Sequence, residues 1–209
     1  TGGGLSPRAV VICYPWGQEY LRSHRSLKHL STLLARSGID VLRFDYFGTG
    51  DSAGDMCDGN LAGWESDIEA AIDELKDTAS VTQVGLVGLR LGATLAARVA
   101  SRRDDVDRLC LWDPVVLGDE YLVDLERTAA DVAFHGAQTP DSLSTNDERT
   151  ILGFTLRDEL AKDIARLELA PSLSAAPVRT LILATQPLGS HTALRRHHVV
   201  EDFPSPPVW

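Results

Sequence analysis

The sequence predicts an α/β fold built on a mostly parallel sheet with helices on both faces. Three observations support this prediction: short β-branched runs that are apolar on both faces, amphipathic stretches between them, and a glycine-rich turn joining one strand to a helix. Strands that alternate with helices favour a parallel sheet, because parallel strands need a crossover connection. The 209 residues, 44% of them hydrophobic, suffice for one domain with a sizeable core.

Five apolar runs predict buried strands, and a sixth strand is predicted near the carboxyl terminus. The six span Arg8–Tyr14, Ile39–Phe44, Gln83–Val87, Asp107–Trp112, Arg179–Ala184 and His198–Glu201. The tail Phe203–Trp209 contains three prolines and cannot continue a strand, because proline lacks the N–H that a sheet requires.

Helices are predicted where apolar residues recur at spacings of three and four. One contains Leu27, Leu30 and Leu34 and ends at Gly38, and the others span Leu61–Leu75, Leu91–Ser101 and His191–Arg196. The segment 117–177 is predicted to be a small helical cap over the sheet. Its helices are Asp119–Phe134 and Leu156–Leu169, separated by a polar loop near Gly136–Asn146. The prediction is therefore one domain, 1–209, with its core at 8–116 and 178–203.

The composition excludes several classes of partner. The net charge is −10, so neither nucleic acid nor an anionic membrane surface is a predicted partner. No apolar run approaches the ~20 residues that span a bilayer, and we expect no signal peptide. The three cysteines are widely spaced and form no C-x-x-C pair, which predicts a reducing cytoplasm and no zinc site. No cofactor or metal ion is predicted.

The segment Gly88-Leu89-Arg90-Leu91-Gly92 joins a strand to a helix almost without a loop. A nucleophile elbow has this layout, G-x-S-x-G, because the turn is strained and the strand and helix approach closely. The middle residue is Arg90, whose guanidinium stays protonated and cannot act as a nucleophile.

Further segments carry a family resemblance. Tyr14–Tyr20 resembles an oxyanion loop, Arg43–Gly54 contains D-x-x-G-x-G-x-S, and Leu111–Leu122 together with Leu152–Phe154 fits a cap. With the elbow, these segments resemble serine-aminopeptidase-like α/β-hydrolases. The chain is most similar to the exosortase A system-associated hydrolases, of which one type also has Gly-Leu-Arg-Leu-Gly at the elbow. The resemblance extends over about Arg8–Trp209.

The resemblance implies an α/β-hydrolase fold and an acyl, ester, thioester or amide small molecule as substrate. It does not carry over the Ser-His-acid triad. Arg90 replaces the serine, Thr185–Gly189 has no carboxylate at the usual acid position, and Phe203–Trp209 has no histidine. Asp113 is the alternative acid. The family fold has two earlier strands and a closing helix beyond those seen here, so we expect the fold to be truncated at both ends.

Ligands of parallel sheets bind at the carboxyl ends of the strands, and this rule selects the candidate residues. The predicted catalytic residues are Arg90, Asp113, Glu19 and His24. The predicted substrate-binding residues are Tyr14, Trp16, Leu89, Leu91 and Asp45. Structural interpretations stay open: Arg90 either clamps an anion or is held in a salt bridge to Asp113 or Glu19. Glu19 and Tyr14 are alternatively polar rim residues, Asp45 an organiser of its own glycine loop, and His24 a solvated surface residue.

Three hypotheses about function follow. In the first, the chain is a hydrolase or acyltransferase that acts on an acyl-type small molecule without a Ser-His-Asp triad. There, Arg90 binds the anionic part of the substrate, and Asp113 or Glu19 acts as acid or base. In the second, it is a catalytically silent homologue that binds a ligand or a protein partner. In the third, Cys13 is the nucleophile of an ordinary hydrolase. Apolar surface near the Pro-rich tail also suggests a homodimer.

Overall fold

The computed structural model describes residues 8–135, 148–176, 178–185 and 199–202. In chain order the elements are β1 Arg8–Cys13, α1 Gln18–Arg36, β2 Ile39–Arg43, a 3-10 turn Met56–Asp58, α2 Leu61–Ala79, β3 Val84–Leu89, α3 Leu91–Ala100, β4 Val106–Trp112, α4 Gly118–His135, β5 Glu148–Ile151, β6 Phe154–Arg157, α5 Asp158–Ala165, α6 Leu169–Ala175, β7 Arg179–Ala184 and β8 Val199–Asp202. The six predicted strands are all present, and their boundaries differ from the prediction by at most two residues.

The central sheet has the strand order β2-β1-β3-β4-β7-β8, and each neighbouring pair is parallel. The chain passes from β1 to β2 in one direction and from β3 to β4 in the other. Because crossovers are right-handed, α1 covers one face of the sheet, while α2 and α3 cover the opposite face. The loops after β1 and β3 therefore diverge at the point where the strand order reverses, which is where open α/β sheets bind ligands.

Helix α2 shows how the sequence pattern produces this packing. Its buried positions are spaced three and four residues apart, so they form one stripe that faces the sheet. They are Leu61, Trp64, Glu65, Ile68, Ala71, Ile72 and Leu75. The helix begins at an N-cap, Asn60, whose side-chain oxygen accepts a hydrogen bond from the Gly63 N–H at 2.8 Å. The N-cap thus determines where the helix starts, and the apolar stripe determines which side of it is buried.

The segment 117–177 differs from its prediction. The first predicted helix is confirmed as α4, and the second, predicted over Leu156–Leu169, is confirmed only for Asp158–Ala165, which form α5. The residues at its two ends belong to an antiparallel hairpin, β5–β6, and to the start of α6. Ile151 pairs with Phe154 across a two-residue turn, and both Leu152 and Gly153 have positive φ. Such a turn matches the twist of a hairpin. The chain therefore returns as β6, and the helix α5 begins only at Asp158.

Some predictions fall on residues outside the described ranges. They are the helix His191–Arg196, the polar loop near Gly136–Asn146 and the tail Phe203–Trp209 with its proposed dimer contact. None of the helices within the described ranges is both long and apolar enough to cross a membrane.

The turn between β3 and α3 brings the backbone of α3 against β1. A Cβ atom added at Gly92 would overlap the carbonyl oxygens of Tyr14 and Cys13, and one added at Gly88 would overlap Ala93. Both glycines of the predicted elbow are therefore required by close approach, as the sequence pattern indicated.

We predict that Gly92→Ala destabilises the fold by about 3 kcal/mol, because the methyl group must displace the backbone of β1. Urea denaturation followed by circular dichroism measures the change. The matched control is Gly85→Ala in β3, whose added Cβ meets its nearest neighbour, Val10 Cγ2, at 3.4 Å. The control should stay within about 1 kcal/mol of the wild type. Equal stability of the two variants would contradict the close approach of α3 to β1.

Candidate functional site at the elbow

Arg90 sits at the head of α3 in a strained backbone conformation. Its φ is 52° and its ψ is −122°, a region that residues with a side chain seldom adopt. Its N–H donates to the Trp112 carbonyl oxygen at 3.0 Å, and its own carbonyl oxygen accepts from Ala93 N–H at 3.0 Å. These bonds tie the turn to β4 and to the first turn of α3. The backbone thus holds arginine at the tip of the strained turn that the sequence predicts to be an elbow.

The Arg90 side chain turns into a buried ion pair. Its Nε donates to Glu19 Oε1 at 2.8 Å, and its Nη1 donates to the Asp113 carbonyl oxygen at 3.3 Å. The guanidinium carbon also lies 5.3 Å from the centre of the Tyr121 ring, a cation–π distance. Only 19% of the Arg90 side chain and 8% of the Glu19 side chain are exposed. The sequence left two interpretations of Arg90 open, an anion clamp or a salt bridge. The structure contains the salt bridge, with Glu19 as the partner.

Tyr121 completes this arrangement, which we call the elbow cluster (Glu19, Arg90 and Tyr121). The Tyr121 hydroxyl donates to Glu19 Oε2 at 2.8 Å, so both oxygens of that carboxylate are engaged. Burial and the nearby Glu19 charge raise the pKa of Tyr121 well above its usual value, so the phenol keeps its proton. Burial lowers the pKa of Arg90, but the charge and the hydrogen bond of Glu19 oppose this, and the pKa is raised overall. The elbow cluster joins α1, the elbow and α4.

Asp113 lies just beyond the end of β4 and is also buried and engaged. Its Oδ1 accepts from the Thr185 N–H and its Oδ2 accepts from the Thr185 hydroxyl, both at 2.7 Å. Thr185 directly follows β7, the neighbouring strand, so the two strand ends are held together by this carboxylate. Asp113 itself has a φ of 40°, a second strained residue at the same edge of the sheet.

A cavity of about 450 Å³, which we call the elbow cavity, opens over these residues. Its lining on the side of the sheet includes Glu19, Arg90, Asp113 and Thr185, and on α4 it includes Asp124, Leu125, Arg127, Thr128 and Asp131. Charges of both signs therefore surround a space large enough for a small organic molecule. The structure brings three of the four predicted catalytic residues, Arg90, Asp113 and Glu19, to this one cavity.

The fourth, His24, lines a different cavity with Tyr14 and Asp45. The separation follows from helix geometry, since His24 lies five residues after Glu19 on α1 and points about 140° away around the helix. We call this second space the loop cavity. In it the Tyr14 hydroxyl accepts from Arg43 Nη1 at 2.6 Å.

The remaining predicted residues are structural neighbours of the two cavities. The Trp16 ring packs against Phe154 of the hairpin, with 6.0 Å between the ring centres. Leu89 and Leu91 flank Arg90 and are buried in the hydrophobic core at 1% exposure each. Cys13 is fully buried, and burial raises the pKa of its thiol to about 12, which opposes a role as nucleophile. Within the described ranges no group of three His, Cys, Asp or Glu side chains could hold a metal ion.

Sequence reasoning missed Thr185 as a partner of Asp113 and missed Tyr121 altogether. Thr185 carried a usable signal, because it directly follows a predicted strand and therefore lies at the ligand-binding edge. Tyr121 carried no such signal, because its contact with Glu19 joins residues that are 102 positions apart in the sequence.

Comparison with solved structures gives several neighbours. Est1E from Butyrivibrio proteoclasticus with bound ferulic acid superposes with a TM-score of 0.68 at 19% identity, over 95% of this chain and 79% of Est1E. A structure of the metagenome-derived lipolytic enzymes LipS and LipT matches with a TM-score of 0.64 at 15% identity, over 94% and 80%. A monoacylglycerol lipase from Paleococcus ferrophilus matches with a TM-score of 0.60 at 18% identity, over 95% and 85%. At these identities the likeness shows the fold.

No match to a functionally curated protein was found. The family model of the serine aminopeptidases S33 matches residues 6–170, which is most of the chain and includes β1, the elbow and the whole hairpin. The chain has the α/β-hydrolase fold and belongs to the serine aminopeptidase S33 family.

Proposed function

We propose that this chain binds an acyl-type small molecule in the elbow cavity and forms no covalent acyl intermediate on its elbow residue. The observation that carries the proposal is the identity and anchoring of Arg90. A guanidinium has no lone pair available for attack on a carbonyl carbon, and here Arg90 is paired with Glu19 at 2.8 Å. The turn that presents a nucleophile in related folds presents a fixed cation instead.

Two of the four carboxylates that line the elbow cavity, Glu19 and Asp113, support the same proposal. A general base must accept the proton of an attacking water or hydroxyl group with a free lone pair in the correct direction. Glu19 already accepts from Arg90 and Tyr121, and Asp113 accepts twice from Thr185. Each carboxylate thus engages two of its roughly four lone pairs in hydrogen bonds that hold the site together.

The class of ligand is inferred from the cavity and from the neighbours. About 450 Å³ accommodates a small organic molecule, and the mixed lining offers both cations and acceptors. Est1E, which shares the fold, has been observed with ferulic acid, a carboxylic acid with an aromatic body. A carboxylic acid or its ester is therefore the ligand class that we propose for this chain.

The second candidate function is an enzyme that uses Glu19 or Asp113 as acid or base, either a hydrolase or an acyltransferase. One observation favours it: Arg90 and both carboxylates line the same cavity. In that case the attacking water or hydroxyl group has to reach a carboxylate oxygen of Glu19 or Asp113 from within the cavity. We further propose, from the Gly-Leu-Arg-Leu-Gly turn, that the chain is related to the exosortase A system-associated hydrolases. A cytoplasmic location and a homodimer stay predictions.

We expect the wild-type chain to resist labelling by a fluorophosphonate probe and to hydrolyse p-nitrophenyl esters no faster than the buffer. Arg90→Ser should behave in the same way, because a serine hydroxyl needs an adjacent base and the elbow cavity has no histidine among its described lining residues. In-gel fluorescence and intact mass spectrometry measure labelling, with an active serine esterase as the positive control. Stoichiometric labelling of the wild type would refute the proposed function, and turnover without labelling would favour the second candidate.

Ligand binding in the elbow cavity is tested with ferulate by isothermal titration calorimetry. Thr128→Trp should weaken ferulate binding by at least about tenfold, because the exposed Thr128 lines the cavity and an indole there fills it. The matched control is Ala130→Trp, an exposed position of α4 that is not among the lining residues. The control should bind as the wild type does. Equal weakening by both variants, or no ferulate binding at all, counts against this site and ligand class.

The anchoring of Arg90 is tested by a double-mutant cycle of Arg90→Met and Glu19→Gln, measured by urea denaturation. Each single change should cost about 2–3 kcal/mol, because it leaves the other member of a buried pair without its partner. The double variant should be more stable than the sum of the single effects by about 1–2 kcal/mol. Asp124→Asn, which breaks an exposed pair with Arg127, serves as the control and should cost less than about 1 kcal/mol. Strictly additive effects would show that Arg90 is not held by Glu19.

A further inference from the structure

The loop cavity has about the same volume as the elbow cavity, 450 Å³, and lies where β1 and β2 end beside α1. Its lining residues are Tyr14, His24, Arg43, Phe44, Asp45, Asp51 and Ser52. None of these residues is among those that line the elbow cavity. An inference drawn from the loop cavity is therefore independent of the proposed function.

Arg43 brings a partly buried positive charge to the loop cavity without a counter-charge in contact. Its guanidinium donates to the Tyr14 hydroxyl at 2.6 Å. Burial raises the pKa of that phenol more than Arg43 lowers it, so the phenol stays neutral. Within the described ranges no carboxylate lies within ion-pair distance of Arg43. The nearest acid along the chain, Asp45, accepts from the Tyr20 hydroxyl at 2.8 Å and from Asp51 N–H at 3.1 Å. A partly buried cation normally has an anionic partner.

His24 brings a second polar group that lacks a partner. Its Nδ1 is shielded from solvent and has no hydrogen-bond partner among the described residues. The imidazole is held in place by stacking on Tyr14, with ring centres 5.8 Å apart, and by an edge contact with Tyr20 at 5.5 Å. Shielded polar atoms are nearly always hydrogen-bonded, so Nδ1 lacks a partner that it gains only if the ring turns toward the loop cavity that His24 lines.

We propose that the loop cavity binds a small molecule through an oxyanion, a carboxylate or a phosphate, held by Arg43 and His24. An oxyanion supplies a negative charge for the guanidinium, and its oxygen reaches His24 Nδ1 once rotation about the Cβ–Cγ bond turns that nitrogen toward the cavity. The Ser52 hydroxyl lines the same space and offers a further donor. The carboxylates of Asp45 and Asp51 also line it, so the bound group must keep to the Arg43 side. The volume exceeds that of an inorganic ion, so the ligand has an organic body.

The test uses two probes, inorganic phosphate and benzoate, with binding measured by isothermal titration calorimetry and by the NMR signals of the His24 ring. Arg43→Gln should weaken binding of the preferred anion by at least about tenfold, because it removes a charge-assisted contact. Arg25→Gln is the matched control, since Arg25 is exposed, lies next to His24 on α1 and lines neither cavity. The His24 signals should move on addition of the anion in the wild type and the control, and stay fixed in Arg43→Gln.

A second variant keeps the test decisive if Arg43→Gln does not fold. His24→Phe keeps an aromatic ring on Tyr14 but removes the nitrogen, and it should weaken binding by about fivefold. Unchanged binding in a folded variant of either residue would overturn the proposal. So would the absence of saturable binding of both anions at concentrations up to about 50 mM. Ferulate binding in the elbow cavity is measured separately, so failure of one site leaves the other assessable.

Discussion

The buried charge of Arg90 is the constraint on which the carboxyl edge of the sheet depends. A guanidinium cannot be neutralised by losing a proton, so its burial requires a carboxylate and further acceptors. This requirement is met by Glu19 from the first turn of α1, by the Asp113 carbonyl group and by the Tyr121 ring. The residue that removes the nucleophile from the elbow therefore also joins three parts of the chain. Arg90 therefore affects both the chemistry that the elbow can perform and the packing of the residues around it.

The parallel sheet was predictable because its signals are local. Runs such as Val10–Cys13 are apolar on both faces, and Gly88 and Gly92 flank a turn where backbone atoms must approach closely. The hairpin β5–β6 was not predictable from the spacing of apolar residues alone. Leu156, Leu160 and Ile164 follow one another at spacings of four, yet the first belongs to a strand and the other two to a helix. The helical spacing thus continues across the boundary between β6 and α5, so it predicts one helix where the chain forms a strand and a shorter helix.

The candidate site was predictable only in part. The strand-end rule identified Glu19, Asp113 and Arg90, which the structure places around one cavity. It assigned His24 to the same site, although helix geometry directs that side chain to the loop cavity. The partners that determine what each carboxylate can do, Tyr121 and Thr185, lie 102 and 72 positions away in sequence. Their contacts depend on tertiary packing, which residue spacing does not encode.

The elbow cluster also has a consequence for how such a chain evolves. Replacing Arg90 by a small hydroxyl residue removes the cation that is paired with Glu19, and replacing Glu19 first removes the carboxylate that is paired with Arg90. Either first step lowers the stability of the fold before any new activity is available for selection. A mutational route to an elbow nucleophile thus requires coordinated changes at two positions distant in sequence. The residues that accommodate the arginine therefore make its replacement depend on their own, which is epistasis.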